Sequence, residues 1–170
     1  MTGTPPEFSR LVPLTRLGAT RFEQQLAATP DECAALALRF GLLALDRLTA
    51  TVALERQPDE TILLRASFAA AFTQECVISL DPVAGSVAEQ FALHYGPPEA
   101  EPADEDGGEV AFEPLDGDAI DIGEAVAQEF SLSLPPFPHA PDAVIEIAAD
   151  VEDDGPLAAL ARLKDPPAQR

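Results

Sequence analysis

The stretch LDRLTATVALERQPDETILLRASFAAAF, Leu45 to Phe72, alternates with a period of two on both sides of a turn. Leu48, Ala50, Val52 and Leu54 fall on one side of an extended chain, and Thr49, Thr51 and Glu55 on the other. RQPDE then supplies turn residues. Beyond it, Ile62, Leu64, Ala66, Phe68, Ala70 and Phe72 share a face, opposed by residues that include Thr61, Arg65, Ser67 and Thr73. A helix repeats every 3.6 residues and cannot use such a pattern. The stretch therefore predicts an antiparallel hairpin with one face turned to a core, its second arm running on toward Cys76.

Working outward, TPDECAALALRFG carries every signal of a helix. Thr29 can cap it, Pro30 suits the first helical position, Glu32 can complete a capping box and Gly41 can close it. Cys33, Leu36, Ala37 and Phe40 recur at helical spacing, so Cys33 reads as core packing. Further upstream, EFSRLVPLTRL alternates loosely around Pro13, which confines it to a sheet edge. Downstream of the hairpin comes DPVAGS. A strand pattern with Val87, Phe91, Leu93 and Tyr95 follows and stops at GPP. These pieces predict an α+β fold, an antiparallel meandering sheet packed by a few helices.

From Pro97 to Asp118 the chain is rich in Pro, Gly and acid, and its sparse apolar content cannot offset the entropy of ordering. An acidic flexible loop is expected there. A helix from Ala119 to about Leu134 lines up Ile122, Val126 and Phe130, and Pro135 ends it. DAVIEIAADVEDDG reads as a short strand or an extended chain. GPLAALARLKD then predicts a short amphipathic helix, begun by Pro156 and carrying Leu157, Leu160 and Leu163, with Lys164 near its end. A helix that short is marginal alone and needs a surface to dock on; its acidic tether favours a partner's surface over the domain's own. The expected organisation is one domain over residues 7–149, with 97–118 as its loop, followed by tether and helix over 150–170.

Charge is the strongest compositional fact. The chain of 170 residues carries a formal net charge of −20, and from Ala66 to Ala161 it has 21 acidic residues and no Lys or Arg. Such a surface repels phosphate backbones and draws basic partners. No apolar run approaches the roughly 20 residues of a membrane span. MTGTPPEFSR lacks the basic-then-apolar order of a secretory signal, so the expected location is the cytoplasm, and two cysteines suit that compartment.

Chemistry-bearing residues are few. Nucleophilic catalysis would draw on Cys76 with His94 or His139, and no catalytic signature surrounds any of them. Two Cys and two His without paired spacing do not make a zinc site, and DEDGG lacks the ligand alternation of a calcium loop. No phosphate-binding glycine loop is present, and Arg10, Arg16, Arg21, Arg39, Arg47, Arg56 and Arg65 are dispersed rather than clustered. Elimination leaves a protein that is not an enzyme, with no cofactor, no metal and no membrane partner expected.

Three features stand in a fixed order: ECVISLDPV with Cys76 and Pro82; a helix running into LPPFPH with Leu134, Pro135, Pro138 and His139; and PLAALARLK with Pro156, Leu157, Leu160, Leu163 and Lys164. Together they resemble the bacterial YceD-like family, associated with accumulation of large-subunit ribosomal RNA, over about Phe8 to Lys164. The resemblance implies a second cysteine three residues after the first in many relatives; Ser79 stands there in this chain. It also implies that the placement of His139 after the prolines belongs to the family, with a structural hydrogen bond as the expected role of its ring. The same resemblance implies a role in ribosomal RNA accumulation or maturation and ribosome assembly, which with the elimination above gives a non-enzymatic factor as the expectation. The charge adds a basic ribosomal protein or RNA-processing factor as partner, with Glu99, Glu101, Asp104, Glu105 and Asp106 as candidate contacts. Two alternatives are direct RNA binding through the arginine-bearing N-terminal half and a small hydrolase built on Cys76 and a histidine.

Overall fold

The structure, a computed structural model, describes residues 6–18, 20–59, 61–98, 110–115 and 117–144. Its elements in chain order are β1 (Leu11–Pro13), β2 (Phe22–Ala27), α1 (Pro30–Phe40), β3 (Ala44–Arg56), β4 (Ile62–Glu75), β5 (Pro82–Gly96), β6 (Ala111–Pro114), β7 (Ala119–Asp121) and α2 (Ile122–Ser133). A five-stranded sheet runs in the order β2-β3-β4-β5-β6, and β1 with β7 makes a separate two-stranded ribbon. The fold is α+β, with both helices on one face of the larger sheet.

The predicted hairpin is β3 and β4, paired antiparallel with Leu54 opposite Leu64 and Ala50 opposite Phe68. The core-facing set of both arms is buried, from Leu48 to Leu54 and from Ile62 to Phe72. The sheet curls at a register shift between Leu45 and Arg47, as a bulge does. Helix α1 forms with its full capping box: the Thr29 hydroxyl accepts from the Glu32 amide, the Glu32 carboxylate accepts from the Thr29 amide, and Gly41 closes the last turn at φ +65. Arg10 clamps that same carboxylate from both nitrogens, at 2.7 and 2.9 Å, which holds Glu32 well below the usual carboxylate range, at about 2.

Phe130 of α2 is the keystone of the aromatic core. It meets Phe40, Phe68 and Phe72 edge-to-face at centroid separations of 5.8, 6.4 and 5.8 Å, and so links both helices to the central strand. The start of α2 is fixed by Asp121. Its carboxylate accepts from the Gly123 and Glu124 amides and also from the Arg10 amide and the Ser9 hydroxyl, so one side chain caps the helix and holds the N-terminal segment.

Several expectations are corrected. The strand read after DPVAGS begins within it, at Pro82; proline is tolerated at a strand's first position, and Gly85 admits the Phe72 ring, whose edge would lie 2.7 Å from an added Cβ. β6 lies inside the segment expected to be a loop and pairs parallel to β5, so the sheet is an antiparallel meander with one parallel edge strand. Leu115 continues the contact through its amide to the Gly96 carbonyl. The helix expected from Ala119 starts at Ile122, because β7 occupies its first three residues and pairs with β1. β2 was not foreseen: FEQQLA offers only Phe22 and Leu26 to the alternation. The tether and terminal helix of 150–170 lie outside the described residues, as do 99–109.

The N-terminal segment sits so close to α2 that a Cβ on Gly123 would lie 2.0 Å from the Phe8 carbonyl oxygen. Gly123→Ala would gain roughly 1 kcal/mol of helix propensity on its own. Here it is expected to destabilise instead, by about 2 kcal/mol, because backbone must move apart. Urea unfolding measures the sign, and a stabilised variant would contradict the packing.

Candidate functional site

β4 ends at Glu75 and β5 begins at Pro82, and the six residues between them wind around one sulfur atom. The turn is closed by the Cys76 amide on the Asp81 carbonyl at 2.8 Å and the Leu80 amide on the Cys76 carbonyl at 3.0 Å. Within it, the Cys76 Sγ accepts from the amides of Ile78 and Ser79, each at 3.4 Å. A third amide, of Ala140, arrives from 64 residues further along at 3.3 Å. Leu80 takes φ +64, the sole positive φ of a residue other than glycine among those described, which the tight winding requires.

The Ala140 amide is delivered by the proline segment. Leu134 ends α2 in an extended conformation, as a residue before proline must. The proline segment that follows bends at Pro136 and Phe137 and lies across the turn. The Gln74 side-chain amide donates to the Pro135 carbonyl at 3.1 Å, and the Val77 amide donates to the Pro138 carbonyl at 3.0 Å. The result is a junction of three elements, the end of β4, the start of β5 and the exit of α2, with a buried thiol at its centre. Cys76 is fully buried, but it is not part of the contiguous apolar core and is covered by its own turn and the proline segment.

These donors favour the charged form of the sulfur. Ser79, through its hydroxyl and then its amide, and next the Ala140 amide lower the Cys76 thiol to about 6, against the opposing effect of desolvation. Cys33, by contrast, lies on the buried face of α1, where desolvation pushes its thiol up.

The sequence-predicted residues separate clearly. Cys76, Pro82, Leu134, Pro135 and Pro138 meet at the junction, and Leu134 packs against the core edge. His139 is exposed, and no hydrogen bond of its ring is found among the described residues; the expected structural bond is made by the backbone on either side of it, at Pro138 and Ala140. Glu99, Glu101, Asp104, Glu105 and Asp106, and Pro156, Leu157, Leu160, Leu163 and Lys164, lie outside the described residues. Among those described, no group of three or more His, Cys, Asp or Glu converges as a metal set, and no helix is long and apolar enough to cross a membrane. Gln74 and Ala140 were missed by sequence reasoning. Ala140 contributes only backbone, so its identity carries no signal, whereas the second cysteine position did mark the turn.

A second surface is the sheet face that α1 and α2 leave open. It presents Thr49, Thr51, Ser67, Ala69, Gln90 and Ala92, small or flat side chains over shallow grooves, with Arg47 and Arg65 on the same side.

The fold and this junction define an α+β domain whose sheet is covered by helices on one face and whose segment after α2 is strapped back onto a cysteine turn. A family model described as large ribosomal RNA subunit accumulation protein YceD matches residues 64–164, from near the start of β4 through the junction and into the tail. The chain belongs to the YceD family. Comparison with curated proteins and with solved structures gives no match.

The Cys76 thiol should titrate with a midpoint near 6, followed by the Cβ chemical shift. Its folded value lies below the ordinary 9.0, so the thiolate contributes stability that is complete above the unfolded value and is lost as pH falls through 6. The advantage of the wild type over Cys76→Ser is therefore expected to shrink between pH 9 and pH 6, and Ser79→Ala to raise the midpoint. A midpoint at or above the ordinary value would show that the amides do not hold a thiolate.

Proposed function

We propose that this protein supports the accumulation of large-subunit ribosomal RNA as a non-enzymatic factor that works through protein contacts, with a basic ribosomal protein or RNA-processing factor as its partner. Family membership supplies the ribosomal link. The observation that carries the mode of action is the fate of the cations. Arg10 is locked to Glu32, Arg39 is shared between Glu7 and Glu124, and Arg21 lies beside Glu23 and Glu55. Arg16 stacks over the Phe22 ring. Three of the seven arginines of the N-terminal half are thus paired and a fourth lies over a ring, while the acidic residues of the chain far outnumber its cations.

Direct RNA binding has one observation in its favour, the placement of Arg47 and Arg65 on the open sheet face without an ion pair among the described residues. Arg65 lies opposite Ala53, six residues along β3 from Arg47, so the two are about 20 Å apart. That exceeds two Debye lengths of about 8 Å at physiological salt, and the pair cannot act as one phosphate clamp. The acidic run with Glu99, Glu101, Asp104, Glu105 and Asp106 offers the stronger field, to a partner of opposite charge.

Affinity capture from bacterial lysate, with and without nuclease, separates the readings. Basic proteins should remain bound after nuclease treatment, Arg47→Glu with Arg65→Glu should leave them bound, and neutralising the five acids together should slow their association and remove its salt sensitivity. Cells without the protein should accumulate less large-subunit ribosomal RNA relative to the small subunit. Loss of all partners on nuclease treatment, together with loss on the double arginine change, would replace this reading with direct RNA binding.

A further inference from the structure

The junction carries an apolar cluster that faces water. Val77 and Leu80 on the turn are 50% and 65% exposed, and Phe137 and Val144 on the proline segment and its continuation are 71% and 76% exposed. Backbone hydrogen bonds join the segments that carry them. The Val77 amide binds the Pro138 carbonyl, which sets Phe137 beside the turn, and the Ala143 amide on the Ala140 carbonyl at 3.1 Å folds the chain back before Val144. Leu80 is the residue held in the left-handed region, and that conformation is spent on a side chain that points outward. Glu75 and Asp81 at the two ends of the turn and Asp142 on the segment after Ala140 are all exposed.

We infer that this cluster is the docking site for the chain's own residues 156–164, whose Leu157, Leu160 and Leu163 cover Val77, Leu80, Phe137 and Val144. Three observations select this occupant. The described chain ends at Val144, four residues after the amide that meets Cys76, and residues 145–155 span up to about 36 Å when extended, enough to bring the tail back. The segment has an apolar stripe at helical spacing but is too short to hold a helix unaided, so it requires such a surface. Its charge is complementary: Arg162 and Lys164 are the first cations after Arg65, and on a helix Lys164 shares the face of Leu160, toward the acids around the turn. The sequence favoured a partner as the tail's support; the exposed cluster supplies one in the same chain, at the high effective concentration a short tether gives. This inference does not rest on the ribosomal reading.

A disulfide trap in the full-length chain tests it. Leu80→Cys with Leu160→Cys should close an intramolecular disulfide under mild oxidation at least tenfold faster than a control pair, Leu38→Cys with Leu160→Cys. Leu38 is 85% exposed on α1, and native Cys33 and Cys76 are buried. Leu160→Asp in the same chain should raise hydrogen exchange at Val77 to Leu80. Equal closure rates for the two pairs, or cross-links that form only between molecules or to a second protein in lysate, would overturn the assignment.

Discussion

The junction depends on one constraint: a sulfur atom enclosed at the rim of the fold must accept the amides that point at it. A neutral thiol is a weak acceptor, a thiolate a strong one. Three converging amides therefore do two things at once. They stabilise charge on Cys76, and they make the sulfur the shared endpoint of two segments 64 residues apart. The described residues that follow α2 are held by that attachment together with the bonds of Gln74 and Val77 to the Pro135 and Pro138 carbonyls.

The same chain solves a second positioning problem with a carboxylate. Asp121 caps α2 and ties down Ser9 and Arg10, while Arg10 reaches Glu32 in the cap of α1. The two helix starts are thus linked through one arginine, and Phe130 links the helix bodies to the central strand. One helix end is anchored by Asp121 and the other by the cysteine turn. The family match begins within β4, so the N-terminal elements β2, β3 and α1 complete the sheet and core around the shared portion.

Much of this was legible in the sequence where local chemistry and burial agree. The hairpin of β3 and β4 could be read because one face of Leu48 to Leu54 and of Ile62 to Phe72 is apolar at every second residue, and α1 because Thr29, Glu32 and Gly41 each have a defined terminal role. β6 and β7 were hidden for a physical reason: strands of four and three residues are stabilised by their partners rather than by their own pattern. At β7 the apolar Ile120 also fits a helical reading that Asp121 in fact terminates on its N-terminal side. The candidate site was visible as motifs but not as a contact. Nothing in Ala140 announces an amide aimed at sulfur, and His139 drew attention that its neighbours' backbone deserved.

Amide hydrogen exchange resolved at Ala140 tests the central claim most directly. If the sulfur holds the proline segment, the Ala140 amide is protected in the native protein together with Ile78 and Ser79, and Cys76→Ala releases all three while Val52 and Leu64 in the central strands keep their protection. An Ala140 amide that exchanges at the rate of an open chain in the wild type, or that is indifferent to loss of the thiol, would contradict the account.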